Sequence, residues 1–69
     1  MDREFVDSSN IESVGYDEST QTLEIEFKRG DVYQYSGVTE NVFLELKDAS
    51  SVGSYFNQNI RNDYPTSKI

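Results

Sequence analysis

The sequence predicts an α+β domain: a three-stranded antiparallel meander followed by two α-helices packed on one face, in the order β-β-β-α-α. Two observations carry this. Leu23, Ile25 and Phe27 alternate with Glu24, Glu26 and Lys28, the period-two pattern of a strand with one face in water. From Thr39 onward the apolar spacing turns helical, with Val42, Leu46 and Ala49 and then Val52, Phe56 and Ile60 recurring every three or four residues.

Residues 1–10 are acidic and then turn-rich (Asp7-Ser8-Ser9-Asn10), with Phe5 and Val6 placed to dock on the domain. Residues 11–16 read as a short strand that puts Val14 and Tyr16 on one face. A four-residue turn, Asp17 to Thr20, then pairs Tyr16 with Gln21 and Val14 with Leu23. Directly opposed residues share a face, so Val14 joins Leu23, Ile25 and Phe27. A five-residue turn would place it with the glutamates. The clearest strand covers residues 21–28.

The second turn decides where the tyrosines go. A three-residue loop of Lys28, Arg29 and Gly30 lets glycine take the left-handed position. Phe27 then pairs with Asp31, Ile25 with Tyr33, and Leu23 with Tyr35. Tyr33 and Tyr35 fall on the apolar face, and Val32 and Gln34 lie outside with the glutamates. A two-residue loop would require a positive φ at Arg29 in a type I′ turn and would expose both rings.

Residues 39–48 read as the first helix, with Thr39 as N-cap and Glu40 in the first turn. Ser50 or Ser51 caps a second helix running to about Asn62. Gly53 inside it costs about 1 kcal/mol of local stability relative to alanine and marks close packing. Gly15 marks a bulge or close approach in its strand. Pro65 ends the helix, and residues 65–69 read as a loose tail. The chain is one domain, 1–69, with its core in about 5–64. It has no internal repeat, linker or low-complexity tract.

Composition excludes several functions. The 69 residues contain no cysteine and no histidine. That removes the disulfide, the thiolate nucleophile, the imidazole base and the usual zinc ligands. No apolar run approaches the roughly 20 residues of a membrane span, and Met1-Asp2-Arg3-Glu4 lacks the basic start of a signal peptide. The reading is a cytoplasmic, non-catalytic chain with no cofactor. The net charge of −7 lies entirely in residues 1–26, because bases and acids balance in residues 27–69. Any surface for a phosphate backbone must therefore come from the second part of the chain.

A series of short motifs resembles the KTSC domain. They are Val14-Gly15-Tyr16-Asp17, Leu23-x-Ile25-x-Phe27, Gly30-x-Val32-Tyr33-x-Tyr35 and Val38 before the helix, followed by Ala49-Ser50-x-x-Gly53-x-Tyr55-Phe56-Asn57 and Ile60-Arg61. The similarity spans about residues 8–64. It implies kinship with small free-standing bacterial and phage proteins and with a domain at the C-terminus of some lysyl-tRNA synthetases. It also implies a module of uncharacterised role, for which nucleic-acid binding, chiefly of RNA, is the suggested activity. The chain departs from the family pattern in Thr39, where proline is usual, and in its strong acidity.

Two functions from different classes follow. In the first, an accessory domain contacts nucleic acid or a nucleic-acid-processing enzyme; Lys28, Arg29, Asn57 and Arg61 hold phosphates while Tyr33, Tyr35 or Tyr55 stack on bases. Lys68 and Lys47 are further candidate cations. In the second, the acidic N-terminal third, with Glu24 and Glu26 on an exposed face, meets a basic protein or mimics nucleic-acid charge. Glu24 and Glu26 lie about 7 Å apart along one strand, a separation that suits an inverting glycosidase, but an open face offers no pocket to raise a pKa. An edge strand able to pair between copies leaves monomer and weak dimer both open.

Overall fold

The computed structural model describes residues 1–69. The elements are β1 (Arg3–Phe5), β2 (Ile11–Asp17), β3 (Thr22–Phe27), β4 (Val32–Ser36), α1 (Glu40–Asp48), α2 (Val52–Asn59) and β5 (Thr66–Lys68). The predicted α+β class and both helices stand, but the sheet has five antiparallel strands in the order β1-β2-β3-β4-β5 rather than three.

The two extra strands are the edges, each three residues long. Neither has an apolar alternation, and their side chains are exposed, so periodicity gave no sign of them. Main-chain pairing recruits them. The β4 groups facing away from β3 need partners, and the segment read as a loose tail supplies them: Ser36 N donates to Pro65 O at 3.0 Å and Ile69 N to Val32 O at 2.9 Å. Residues 65–69 are therefore an ordered edge. At the other side Phe5 is 79% exposed and does not dock, whereas the next residue, Val6, packs against the core.

The β3–β4 hairpin follows the predicted register. Ile25 faces Tyr33 and Leu23 faces Tyr35. Gly30 has φ +105°, the left-handed value that favours glycine, and its N–H donates to Phe27 O. The β2–β3 turn is also four residues long but lies one residue further on. Tyr16 faces Leu23 and Val14 faces Ile25, not Gln21 and Leu23. Asp17 causes the slide. It stays in the ladder opposite Thr22, and its Oδ1 accepts from Ser19 N (3.0 Å) and Ser19 Oγ (2.7 Å), which starts the turn after it. Gln21 closes the turn at φ +54°. A register shift of two residues keeps every side chain on its face, so Val14 still joins the apolar set.

That set forms the core with the helices. Ile11, Val14, Leu23, Ile25 and Tyr35 from the sheet meet Leu46, Val52, Phe56 and Ile60, with Val38 between. Thr39 stands at the N-cap of α1 without a side-chain capping bond, while Ser51 caps α2 by accepting from Ser54 N. The second helix stops at Asn59, short of Asn62. Ile60, 1% exposed, is drawn into the core, and the N–H groups of Ile60 and Arg61 both donate to Phe56 O.

The outer face of the sheet is not the open acidic surface that alternation suggests. Glu24 is only 8% exposed. Arg3 lies across the sheet to meet it at 3.1 Å, and Gln34 Nε2 donates to it at 3.0 Å. Glu26 accepts from Ser13 Oγ at 2.8 Å.

Candidate functional site

The hairpin tip, the loop before β2 and the end of α2 enclose a cleft of about 670 Å³. Each wall has a local cause. The Gly30 turn puts Lys28 and Arg29 at the tip. Lys28 N donates to Asn10 O at 2.9 Å, tying the tip to the preceding loop. That loop is held by Ser8 Oγ, which accepts from Asn10 N and Ile11 N and donates to Asn10 Oδ1. Opposite, the burial of Ile60 that ends α2 leaves Arg61 exposed on the cleft rim beside Asn57 and Asn62.

The floor is aromatic. Phe27 meets Tyr33 edge-to-face at 5.8 Å between centroids, Phe56 meets Phe27 at 5.6 Å, and Tyr35 meets Phe56 at 5.5 Å. Such edge-to-face pairs hold rings at fixed angles. Tyr35 is 4% exposed and belongs to the core. Burial pushes its hydroxyl pKa up, with the Tyr33 hydroxyl adding to the rise and Arg61 opposing it. Tyr33 is half-buried and is the ring with surface to offer a ligand.

The rim is cationic. No carboxylate lines the cleft, although the chain carries thirteen acids. Three of its six bases are there: Lys28, Arg29 and Arg61. Of these, Arg29 is engaged. Its Nε donates to Asp31 and its guanidinium lies 5.6 Å from the Phe27 ring centre. That contact holds the Asp31 carboxyl below the usual carboxylate range against the opposing effect of burial, with a lesser contribution from Lys68. Outside the cleft Arg3 pairs with Glu24, Lys47 with Glu4 and Lys68 with Asp31. Lys28 and Arg61 are the two lysine or arginine side chains with no carboxylate within 4 Å, and both line this cleft.

Six of the seven residues singled out in the sequence thus come together here: Lys28, Arg29, Tyr33, Tyr35, Asn57 and Arg61. Tyr55 does not. Its hydroxyl donates to Glu45 of α1 at 2.9 Å, and burial and that carboxylate both raise its pKa. Lys68 and Lys47 lie outside as well. The sequence reading did not include Ser9, Asn10, Phe27, Phe56, Asn62 and Thr66. Phe27 and Phe56 carried a core signal only. Thr66 carried none, because it reaches the cleft through a strand that no pattern announces. The lining supplies cations, amides, hydroxyls and aromatic faces, groups suited to holding an anionic, ring-bearing ligand. No group of three or more acidic side chains gathers to hold a metal ion, and no helix is long and apolar enough to cross a membrane.

These features define a class: a small α+β domain in which a five-stranded meander and two helices frame one aromatic cleft with a cationic rim. The family model of the KTSC domain matches residues 7–64, and the chain belongs to that family. It is 43% identical over 58 residues to an uncharacterised protein of Stutzerimonas stutzeri, covering 84% of this chain and 82% of that one. It is 40% identical over 58 residues to a lysine–tRNA ligase of Nostoc punctiforme, of which it spans only 10%. A crystal structure of a KTSC domain protein from Yersinia pestis superposes with a TM-score of 0.93 at 39% identity, over 99% of this chain and 96% of that one.

Proposed function

We propose that the domain is a non-catalytic accessory module that binds single-stranded RNA in the cleft between the β3–β4 hairpin and the end of α2. The observation that carries this is electrostatic. In a chain of net charge −7, the two lysine or arginine side chains without carboxylate partners both line one aromatic cleft that has no acidic lining residue. Lys28 and Arg61 supply charge for phosphate, Asn57 supplies an amide for sugar or base edges, and Tyr33 supplies a ring face. The similarity to part of a lysine–tRNA ligase supports the same direction.

The acidic-surface reading has less behind it. Arg3 and Ser13 draw Glu24 and Glu26 into contacts within the chain, so the carboxylate pair at the centre of that face is already engaged.

The test is an NMR titration of labelled protein with mixed-sequence single-stranded RNA, at low salt and at about 150 mM. Shifts confined to Lys28, Tyr33, Asn57 and Arg61 that shrink with salt support the proposal. No shifts at low salt, or shifts centred on β1 and β2, overturn it.

A further inference from the structure

We infer that the cleft takes about one to two nucleotides, with a single phosphate held between Lys28 and Arg61, and does not track a continuous run of backbone. This rests on the RNA reading above and adds a site size to it.

Volume is the first argument. At about 670 Å³ the cleft has the dimensions of a small-ligand site, roughly 300–1,000 Å³, in a molecule only 28 × 23 × 23 Å across. The second is the distribution of free charge. A groove that follows a strand needs cations beyond the pocket. Here Arg3 and Lys47 are each paired with a carboxylate, and Lys68 shares Asp31 with the rim's own Arg29. A strand leaving the cleft meets no further lysine or arginine that lacks a carboxylate within 4 Å, on a chain whose net charge is −7. The third is the floor. Tyr35 lies in the core, and Phe27 is in edge-to-face contact with both Tyr33 and Phe56 and carries the Arg29 guanidinium 5.6 Å from its ring centre, so Tyr33 alone remains to stack on a base.

The charge count makes a quantitative expectation. One single-strand phosphate neutralised between Lys28 and Arg61 gives a slope of log K against log salt of about −0.7. Binding of oligouridylates of two, four and twelve residues, measured by fluorescence anisotropy from about 25 to 200 mM salt, tests it. A slope near −0.7 at every length supports the inference, as does a gain from two to twelve residues of no more than about tenfold, the statistical advantage of more binding frames. A slope that steepens with length overturns it and leaves the RNA reading intact, as does binding of the twelve-residue strand alone. Failure of all three oligomers overturns both.

A variant series separates charge from folding. Lys28→Gln with Arg61→Gln removes two exposed, unpaired side chains and is expected to bring the slope toward zero with an unchanged melting temperature. Lys47→Gln, outside the cleft, is expected to keep the slope. The inference is overturned if the double variant retains a slope near −0.7.

Discussion

Arg3 Nη1 stands 3.1 Å from Glu24 Oε2, and the residue between them in the cross-strand row is Gly15. The missing side chain is what lets the guanidinium cross. A Cβ built on Gly15 would lie 2.7 Å from Asp2 O and 2.8 Å from Arg3 Cγ. Gly15→Ala is therefore expected to push β1 off the sheet and break the ion pair, at about 1–3 kcal/mol. For a domain this small each kcal/mol is about 4–8 °C of melting temperature. Thermal unfolding followed by circular dichroism measures it; an unchanged melting temperature would mean that β1 contributes nothing.

Phe56 bridges the core and the cleft floor through its edge-to-face contacts with Phe27 and Tyr35. Phe56→Ala removes about 3–5 kcal/mol, most of what a 69-residue domain has. The expected result is an unfolded or barely folded chain. Phe56→Leu keeps an apolar side chain and is expected to cost about 1–2 kcal/mol while loosening Tyr33. Urea midpoints of the two variants give the ranking, and similar midpoints would contradict it.

Acid sensitivity should trace to two aspartates. Asp17 is held below the usual range chiefly by the Ser19 hydroxyl and Asp31 chiefly by Arg29. A carboxyl depressed in the folded state adds stability that is complete above its unfolded pKa of about 3.9 and is lost as pH falls through the folded value. Stability should thus decline below about pH 4. Asp17→Asn combined with Asp31→Asn should flatten the decline, and identical melting curves against pH for variant and parent would refute the assignment.

The ordering of β5 is open to hydrogen exchange. The amides of Ser36 and Ile69 donate to Pro65 O and Val32 O, so both should exchange more slowly than the solvent-facing amides of the β2–β3 turn. Equal, fast exchange would return residues 65–69 to the status of a frayed tail.

Tyr55 offers a negative control for the cleft. Its hydroxyl is committed to Glu45, away from the cleft lining. Tyr55→Phe loses one exposed hydrogen bond, about 0.5–1.5 kcal/mol at most, and should leave RNA-induced shifts at Lys28 and Arg61 unchanged. Loss of those shifts would place the ligand elsewhere.

Local chemistry made much of this domain legible from the chain alone. The Leu23–Phe27 alternation, the glycine demanded by a three-residue loop, and the helical spacing of Val52, Phe56 and Ile60 each act over a few residues. Together they determine the α+β class, the β3–β4 register and the apolar face of Tyr35. The three cationic residues of the cleft and two of its four aromatic ones, Tyr33 and Tyr35, could be named for the same reason. What tertiary structure decided is longer in range. Arg3–Phe5 and Thr66–Lys68 become strands because neighbouring backbones need partners, a demand their own side chains do not encode. Arg3 converts an apparently open glutamate face into an ion pair crossing a glycine. The burial of Ile60 turns Arg61 to the cleft rim, while the reach of α1 takes Tyr55 to Glu45. Which cations stay free depends on which carboxylates arrive beside them, and that is fixed only when distant strands and helices pack together.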